Sequence, residues 1–263
     1  MSNILNVTKL CFRYKEILFN EISLDIKRSG LNTLLGPNNC GKTTLINILS
    51  GKKIIDNTIK YENVLINKKN INKYRNDVSI IYLDENKKLK FNKLKLLLKY
   101  QLRSHGYTIK ESNKKISDII KMFDIKHLIN KKIYTMDDVD RKKSLIISAI
   151  IYEPKIVFID DLNDDNGCII DMLKRIALEF NISIFFTTNN LGMCSQSDNI
   201  YLLSDKKIVI SGDYKYMCNH DNILSRNGII IPTMIDLSLK LKDYNLINNI
   251  VLDPIRMVDE LWK

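Results

Sequence analysis

No stretch of this 263-residue sequence holds eighteen consecutive apolar residues, so none of it predicts a membrane-spanning helix. The opening residues, Met1-Ser2-Asn3-Ile4-Leu5-Asn6, have neither the basic nor the apolar block of a signal peptide. The five cysteines (Cys11, Cys40, Cys168, Cys194 and Cys218) never fall in C-x-x-C spacing. That argues against a zinc site or disulfide framework and for reduced thiols in a cytosolic protein. No basic-aromatic nucleic-acid module is visible. The net charge of +11 therefore reads as scattered lysines in a Lys/Asn/Ile-rich composition, with nucleic acid or an anionic lipid surface as the competing readings. The length and a 45% hydrophobic content allow one large α/β domain with an elaboration.

What is present is a phosphate cradle. The apolar run 31–35 leads at once into Gly36-Pro37-Asn38-Asn39-Cys40-Gly41-Lys42-Thr43-Thr44, and residues 45–49 have helical spacing of apolar side chains. Strand, glycine-bounded loop and helix together are the context that G-x-x-x-x-G-K-[ST] requires. Gly36 and Gly41 are expected to supply dihedrals that side chains forbid. The loop amides and the helix N-terminus then point at phosphates. Lys42 is expected on the β- and γ-phosphates and Thr43 on magnesium. Asn39 tolerates left-handed dihedrals. Cys40 is open to two readings, a reactive thiol activated by Lys42 and the helix N-terminus or a small loop-filling residue.

A metal needs a second acidic element. Lys155-Ile156-Val157-Phe158-Ile159-Asp160-Asp161 is a continuous apolar run, as a strand buried on both faces should be. It ends in two carboxylates where open α/β sheets bind ligands. Asp160 is expected to hold magnesium and Asp161 to sit near the γ-phosphate. Strands are also expected at 10–14, 21–26, 58–66, 78–83, 182–188 and 199–211, and helices within 89–133 and over 141–152.

In this order, the elements resemble the ABC ATPase family over nearly the whole chain. Gly36 to Thr44 looks like its Walker A loop and Asp160 like its Walker B aspartate. Tyr14 sits where the family places an aromatic that stacks on adenine, and residues 143–161 look like its signature helix running into Walker B. The tail (227–232, 237–242 and 251–261) is similar to the C-terminal extension of the ATPases in energy-coupling-factor (ECF) transporters. The resemblance implies an α/β P-loop core with an antiparallel β subdomain, a helical subdomain and an α-rich C-terminal extension. The expected boundaries are 1–228 for the nucleotide-binding domain, about 90–152 for the helical insertion and 229–263 for the extension. The implied cofactors are ATP and Mg2+. The implied partners are a second ABC ATPase subunit, as a heterodimer, and an integral membrane coupling protein. The chain itself would lie peripherally on the cytoplasmic face of the membrane without inserting, and nucleic acid is not expected as a partner.

The sequence departs from that family at the parts that hydrolyse ATP. Where the family carries Leu-Ser-Gly-Gly-Gln, this chain has Met136-Asp137-Asp138-Val139-Asp140, and no glycine occurs between Gly106 and Gly167. Three aspartates would then face a polyanion, at roughly 1 to 4 kcal/mol per contact pair. The Q-loop glutamine falls at Leu83, the catalytic glutamate at Asp161 and the switch histidine at Asn189, which cannot carry a proton at pH 7. The expected activity is ATP binding with slow or partner-dependent hydrolysis, coupled to uptake of a vitamin or metal ion. The alternatives are an inactive ATP-binding regulatory or scaffold subunit and a soluble ABC protein acting on nucleic acid.

Overall fold

Two long strands, β1 (Asn3–Arg13) and β2 (Ile17–Lys27), open the chain in a computed structural model that describes every residue except 1, 56–57, 84–91, 164–166, 249, 252–253 and 263. There follow β3 (Leu31–Leu35), α1 (Lys42–Leu49), β4 (Ile59–Tyr61), β5 (Val64–Leu65), α2 (Ile71–Asn76) and β6 (Val78–Tyr82). Three helices come next: α3 (Leu94–Ser104), α4 (Ile109–Phe123) and α5 (Asp138–Ile150). The chain then alternates through β7 (Ile156–Asp160), α6 (Cys168–Glu179), β8 (Ser183–Thr188), β9 (Asn199–Ser204) and β10 (Lys207–Gly212). It ends in α7 (Tyr214–Cys218), α8 (Asp221–Arg226), α9 (Thr233–Asp243) and α10 (Pro254–Leu261).

The strands form two sheets. An antiparallel sheet has the order β2-β1-β4-β5, and a six-stranded sheet the order β10-β9-β3-β8-β7-β6. In the larger one all neighbours are parallel except β10, which returns antiparallel to β9. The reason β7 reads as an unbroken apolar run is visible in its two faces. Ile156 and Phe158 pack with α1 and the antiparallel sheet, while Val157 and Ile159 pack with the helices α3 to α6. Asp205 and Lys206, both left-handed at φ 48° and 67°, turn the β9–β10 hairpin, the geometry that matches the natural twist of the strands.

The parallel register fixes the functional edge. Leu35 pairs with Thr188 and Tyr82 with Asp160, so β3, β6, β7 and β8 end together. Everything that follows β3 and β7 in the chain therefore emerges on one rim, the side where ligands bind in such sheets.

Several expectations shift. The helix anticipated from residue 141 begins at Asp138, because Asp137 caps it by accepting from Asp140 N at 2.7 Å. The expected helical stretch resolves into α3, α4 and a short 3-10 turn (Ile133–Thr135), and α4 opens with a Thr108/Glu111 capping box. The first positions of that stretch, 89–91, and residues 252–253 of the tail lie outside the described residues. The helices α2, α6, α7 and α8 go beyond what the sequence reading anticipates. The start of the tail joins the main domain, since Ile229 and Ile235 share a core with Leu35, Leu191 and Leu202, while Ile247, Val251 and Met257 form a small cluster with Met234 and Leu241 of the tail itself.

The scattered-lysine reading is corrected here. Residues 92–135, which form α3, α4 and the 3-10 turn, hold eleven Lys and Arg against three Asp and Glu. That surplus of eight supplies most of the chain's +11. An even spread would put about two charges there, so composition alone does not explain it.

Candidate functional site

β3 is buried along its whole length, and its pairing runs one step further as Gly36 N donates to Thr188 O at 3.1 Å. The loop then turns at Asn39 and Gly41, which are left-handed at φ 64° and 104°. Gly41 is the residue before α1, and a Cβ there would also lie 2.9 Å from Phe19 Cε1. Gly36 is required for a different reason from the one the sequence suggests. Its φ is not left-handed; a Cβ would stand 2.7 Å from Leu203 O and 2.8 Å from Cys40 Sγ. Its role is close approach of backbone to backbone.

Lys42, the first residue of α1, is 8% exposed. Its ammonium donates to Gly36 O and Pro37 O, each at 2.8 Å. Burial pulls its pKa below the usual lysine value, while Cys40, Asp161 and Asp160 pull the other way. Asn38 and Asn39 are exposed at the tip of the loop, and Thr43 is exposed on the first turn of α1. Thr44 is half-buried beside the Tyr14 hydroxyl. Tyr14 itself is 60% exposed, stands edge-on to Phe12 at 4.9 Å and has the Lys53 ammonium 3.9 Å from its ring centre. Hydrogen bonds from Lys53, then Thr44, hold the Tyr14 hydroxyl below the usual phenol pKa.

The acidic pair sits across the rim. Asp160 is buried, and its Oδ1 accepts from Thr187 Oγ1 at 3.0 Å. The same hydroxyl accepts from Asp161 N at 2.8 Å. One threonine of β8 thus fixes Asp160 at the end of β7 and Asp161 just after it, a role nothing in the sequence marks. Asp161 adopts φ 59° and accepts from Asn163 Nδ2 at 3.2 Å. Asn163 Oδ1 in turn accepts from Thr188 Oγ1 at 3.3 Å. Asn189 follows β8 on the same rim, half-buried, its carbonyl accepting from Ile230 N at 3.0 Å. Tyr82, opposite Asp160, donates to Asn47 of α1 and accepts from Lys52 Nζ at 2.9 Å. Burial, then the charge of Asp160, pushes the Tyr82 hydroxyl above its ordinary pKa.

Of the two readings of Cys40, loop filling is the one the geometry supports: burial pushes its thiol above the ordinary pKa despite the Lys42 charge, and its Sγ lies against Gly36. The aspartates of residues 136–140 do not form a bare acidic face. Asp137 spends its carboxylate on the α5 N-terminus, and Asp138 pairs with Lys142 at 2.5 Å and Arg141 at 3.1 Å. Burial raises the Asp138 pKa, but Lys142 and Arg141 more than offset that and hold it below the usual carboxylate value. The same two cations tie α5 to the rim: Arg141 donates to Leu83 O at 3.3 Å, and Lys142 donates to Asn163 O.

Comparison with known proteins places this geometry in a family. The sequence model of the family described as ABC transporter matches residues 19–163. A putative ABC transporter ATP-binding protein of Clostridium acetobutylicum is 26% identical over 235 residues, covering 85% of this chain and 83% of that protein. The energy-coupling factor transporter ATP-binding protein EcfA1 of Staphylococcus aureus is 20% identical over 224 residues, with 83% of each chain covered. The structure of cbiO1 from Clostridium perfringens, part of the ABC transporter complex cbiONQ, superimposes with a TM-score of 0.76 at 22% identity. The match covers 86% of this chain and 94% of that one, and it speaks to the fold.

Two outcomes follow from the site. Thr187→Val removes the hydroxyl shared by Asp160 and Asp161 and should cost about 1–3 kcal/mol in urea unfolding, the usual effect of stranding buried polar groups. A loss below about 0.5 kcal/mol, the range of an ordinary surface change, would refute the bridging role. Second, with iodoacetamide at pH 7, mass spectrometry should find exposed Cys11 labelled at least about tenfold faster than Cys40, as the protonated, half-buried state of that thiol requires. Faster labelling of Cys40 would restore the reactive-thiol reading.

Proposed function

The chain belongs to the ABC transporter family, and we propose that it is an ATP-binding subunit of a membrane transport complex, ECF-like, in which hydrolysis is slow or depends on a partner. One observation carries the proposal. A buried ammonium at the start of α1, Lys42, lies in the field of Asp160 and Asp161 beneath a loop closed by Gly36 and Gly41. That is a cradle for a triphosphate with its metal.

The residues present fit both groups. Asn39 and Gly41 turn the loop with positive φ, the kind of turn whose successive amides would cradle an anion. Lys42, now shared between two carbonyls, transfers its donors to phosphate oxygens. Thr43 presents a hydroxyl, and Asp160 has an oxygen beyond the one that Thr187 occupies. These two are the proposed ligands of the magnesium ion, which when bound neutralises charge on the β- and γ-phosphates. Tyr14, exposed beside Thr44, is the proposed adenine platform, with Lys53 leaving the ring face it covers. Asp161, anchored through its main chain to Thr187 and through its carboxylate to Asn163, is the proposed water-orienting group. Asn189 can donate a hydrogen bond from β8 but cannot take up a proton.

Partner and solute follow from the resemblance to the ATPases of ECF transporters. A second ABC ATPase and an integral membrane coupling protein are the proposed partners, with the chain peripheral on the cytoplasmic face and a vitamin or metal ion as cargo. Among the described residues no helix is long and apolar enough to cross a membrane. The exposed apolar side chains Val258, Leu261 and Trp262 on and after α10 support a protein partner at the C-terminal end.

Isothermal calorimetry tests the core of the proposal. The intact chain should bind Mg-ATP, and Lys42→Ala should weaken binding at least about tenfold, as loss of a charge-assisted contact does. No heat with either protein would sink the reading. Hydrolysis is tested separately in the reconstituted complex. Asp161→Glu with Asn189→His should raise turnover by about 10²-fold or more if those positions limit it, since a positioned base contributes about 10²- to 10⁴-fold. Unchanged turnover would place the limit at residues 136–140 and favour the inactive ATP-binding subunit.

A further inference from the structure

The positive surplus of the helical region is not spread evenly over its surface. Residues 92–110 and 125–135 contain no Asp or Glu at all, and the fold brings the two acid-free stretches together. Ile133 N donates to Asn92 O at 2.7 Å, and Lys95 N donates to Ile129 O at 3.0 Å. Between them Lys93 and Lys132 stand opposite each other in an antiparallel bridge. Like charges directly opposed are unfavourable in such a pairing, so this junction gains from an anionic neighbour.

α3 extends the same surface. It buries Leu94, Leu97, Leu98 and Leu102 in the helical core. Lys95, Lys99 and Arg103 therefore line its other side at four-residue intervals. With Lys93, Lys131 and Lys132 they make six cations, none of which has an ion-pair partner among the described residues. Set among them are two exposed apolar side chains, Leu96 at 50% and Tyr134 at 64%. Clustered Lys and Arg around an aliphatic and an aromatic side chain are the make-up of a surface that lies in the headgroup layer of a bilayer. Nucleic acid would be served equally by the cations but has no use for an exposed leucine between them.

We propose that the face formed by α3 and residues 131–134 lies against an anionic phospholipid surface, with its six cations on the headgroup phosphates and Leu96 and Tyr134 at the boundary with the acyl chains. The contact is adsorption, not insertion. It does not depend on ATP binding, so it stands or falls independently of the nucleotide site and of the transport reading.

The test is co-sedimentation of the full chain with vesicles of phosphatidylcholine alone or with about one-third phosphatidylglycerol. The chain should bind only the anionic vesicles and come off as salt rises towards about 1 M, where charges are screened beyond about 3 Å. Each Lys or Arg near such a surface contributes about fivefold, so the triple variant Lys95→Gln/Lys99→Gln/Arg103→Gln should bind about a hundredfold more weakly. Lys110→Gln/Lys114→Gln/Lys121→Gln on α4 removes the same charge elsewhere and should weaken binding far less. Leu96→Ser checks the apolar part alone and should also reduce binding. The proposal is overturned if both triple variants lose binding equally, if neutral vesicles bind as well, or if a single-stranded RNA binds at the same salt and vesicles do not. Melting curves matching the parent protein confirm that these exposed replacements leave the fold intact.

Discussion

The structure turns on a buried ammonium. Lys42 sits where the backbone of β3 gives way to α1, and the neighbours that make this position tolerable come from its own loop and from the end of β7. Gly36 and Pro37 offer carbonyls, and Asp160 and Asp161 arrive from β7. Both aspartates are set by Thr187 of β8. An unpaired charge at this depth would be expensive. The parallel order β3-β8-β7 is what brings these compensating groups to one rim, and all three strands are buried along their whole length. The site is therefore not an addition to the sheet. It is the place where the sheet's three central strands run out of partners.

From that rim, two side chains carry information outward. Arg141 and Lys142 leave α5 to meet the carbonyls of Leu83 and Asn163, the residues just after β6 and β7. Leu83 N also donates to Asp160 O at 3.3 Å. Asp160 is thus linked to α5 by two hydrogen bonds through Leu83, and Asp161 by two through Asn163. In both chains the α5 cation meets a main-chain carbonyl, a contact that the side chain at position 83 does not make.

How much of this is legible in a sequence depends on whether a property is local. The loop from Gly36 to Thr44 is local, and the spacing of its glycines and lysine announces it. Even there the reason for Gly36 is not local, because the obstacle is Leu203 on β9. β7 is legible as a run with acids at its end. Thr187 is not, because its importance comes from two hydrogen bonds to residues 26 and 27 positions earlier. α6 shows buried Ile169, Ile170, Leu173 and Ile176 at helical spacing, so its period was available to inspection. The grouping of charge was available too, since it needs only counting by segment, but its meaning depended on α3 and residues 131–134 meeting in space.

The aspartates of residues 136–140 show how a local interaction can change an electrostatic argument. Taken as bare charges, they would repel a polyanion by roughly 1 to 4 kcal/mol for each contact pair. In the fold, Asp138 is neutralised by Lys142 and Arg141, which removes much of that repulsion. What replaces it is competition. Asp137 already accepts from the first-turn amide of α5, and an incoming phosphate would have to displace that cap at a cost of about 0.5–2 kcal/mol. Beside it, Val139 puts a branched side chain where a close backbone approach would call for glycine. Both obstacles act on an anion approaching α5 from outside, and neither touches the cradle at Lys42. The hydrogen bonds that hold the cradle at Lys42 and those that cap α5 at Asp137 therefore involve separate residues in this molecule.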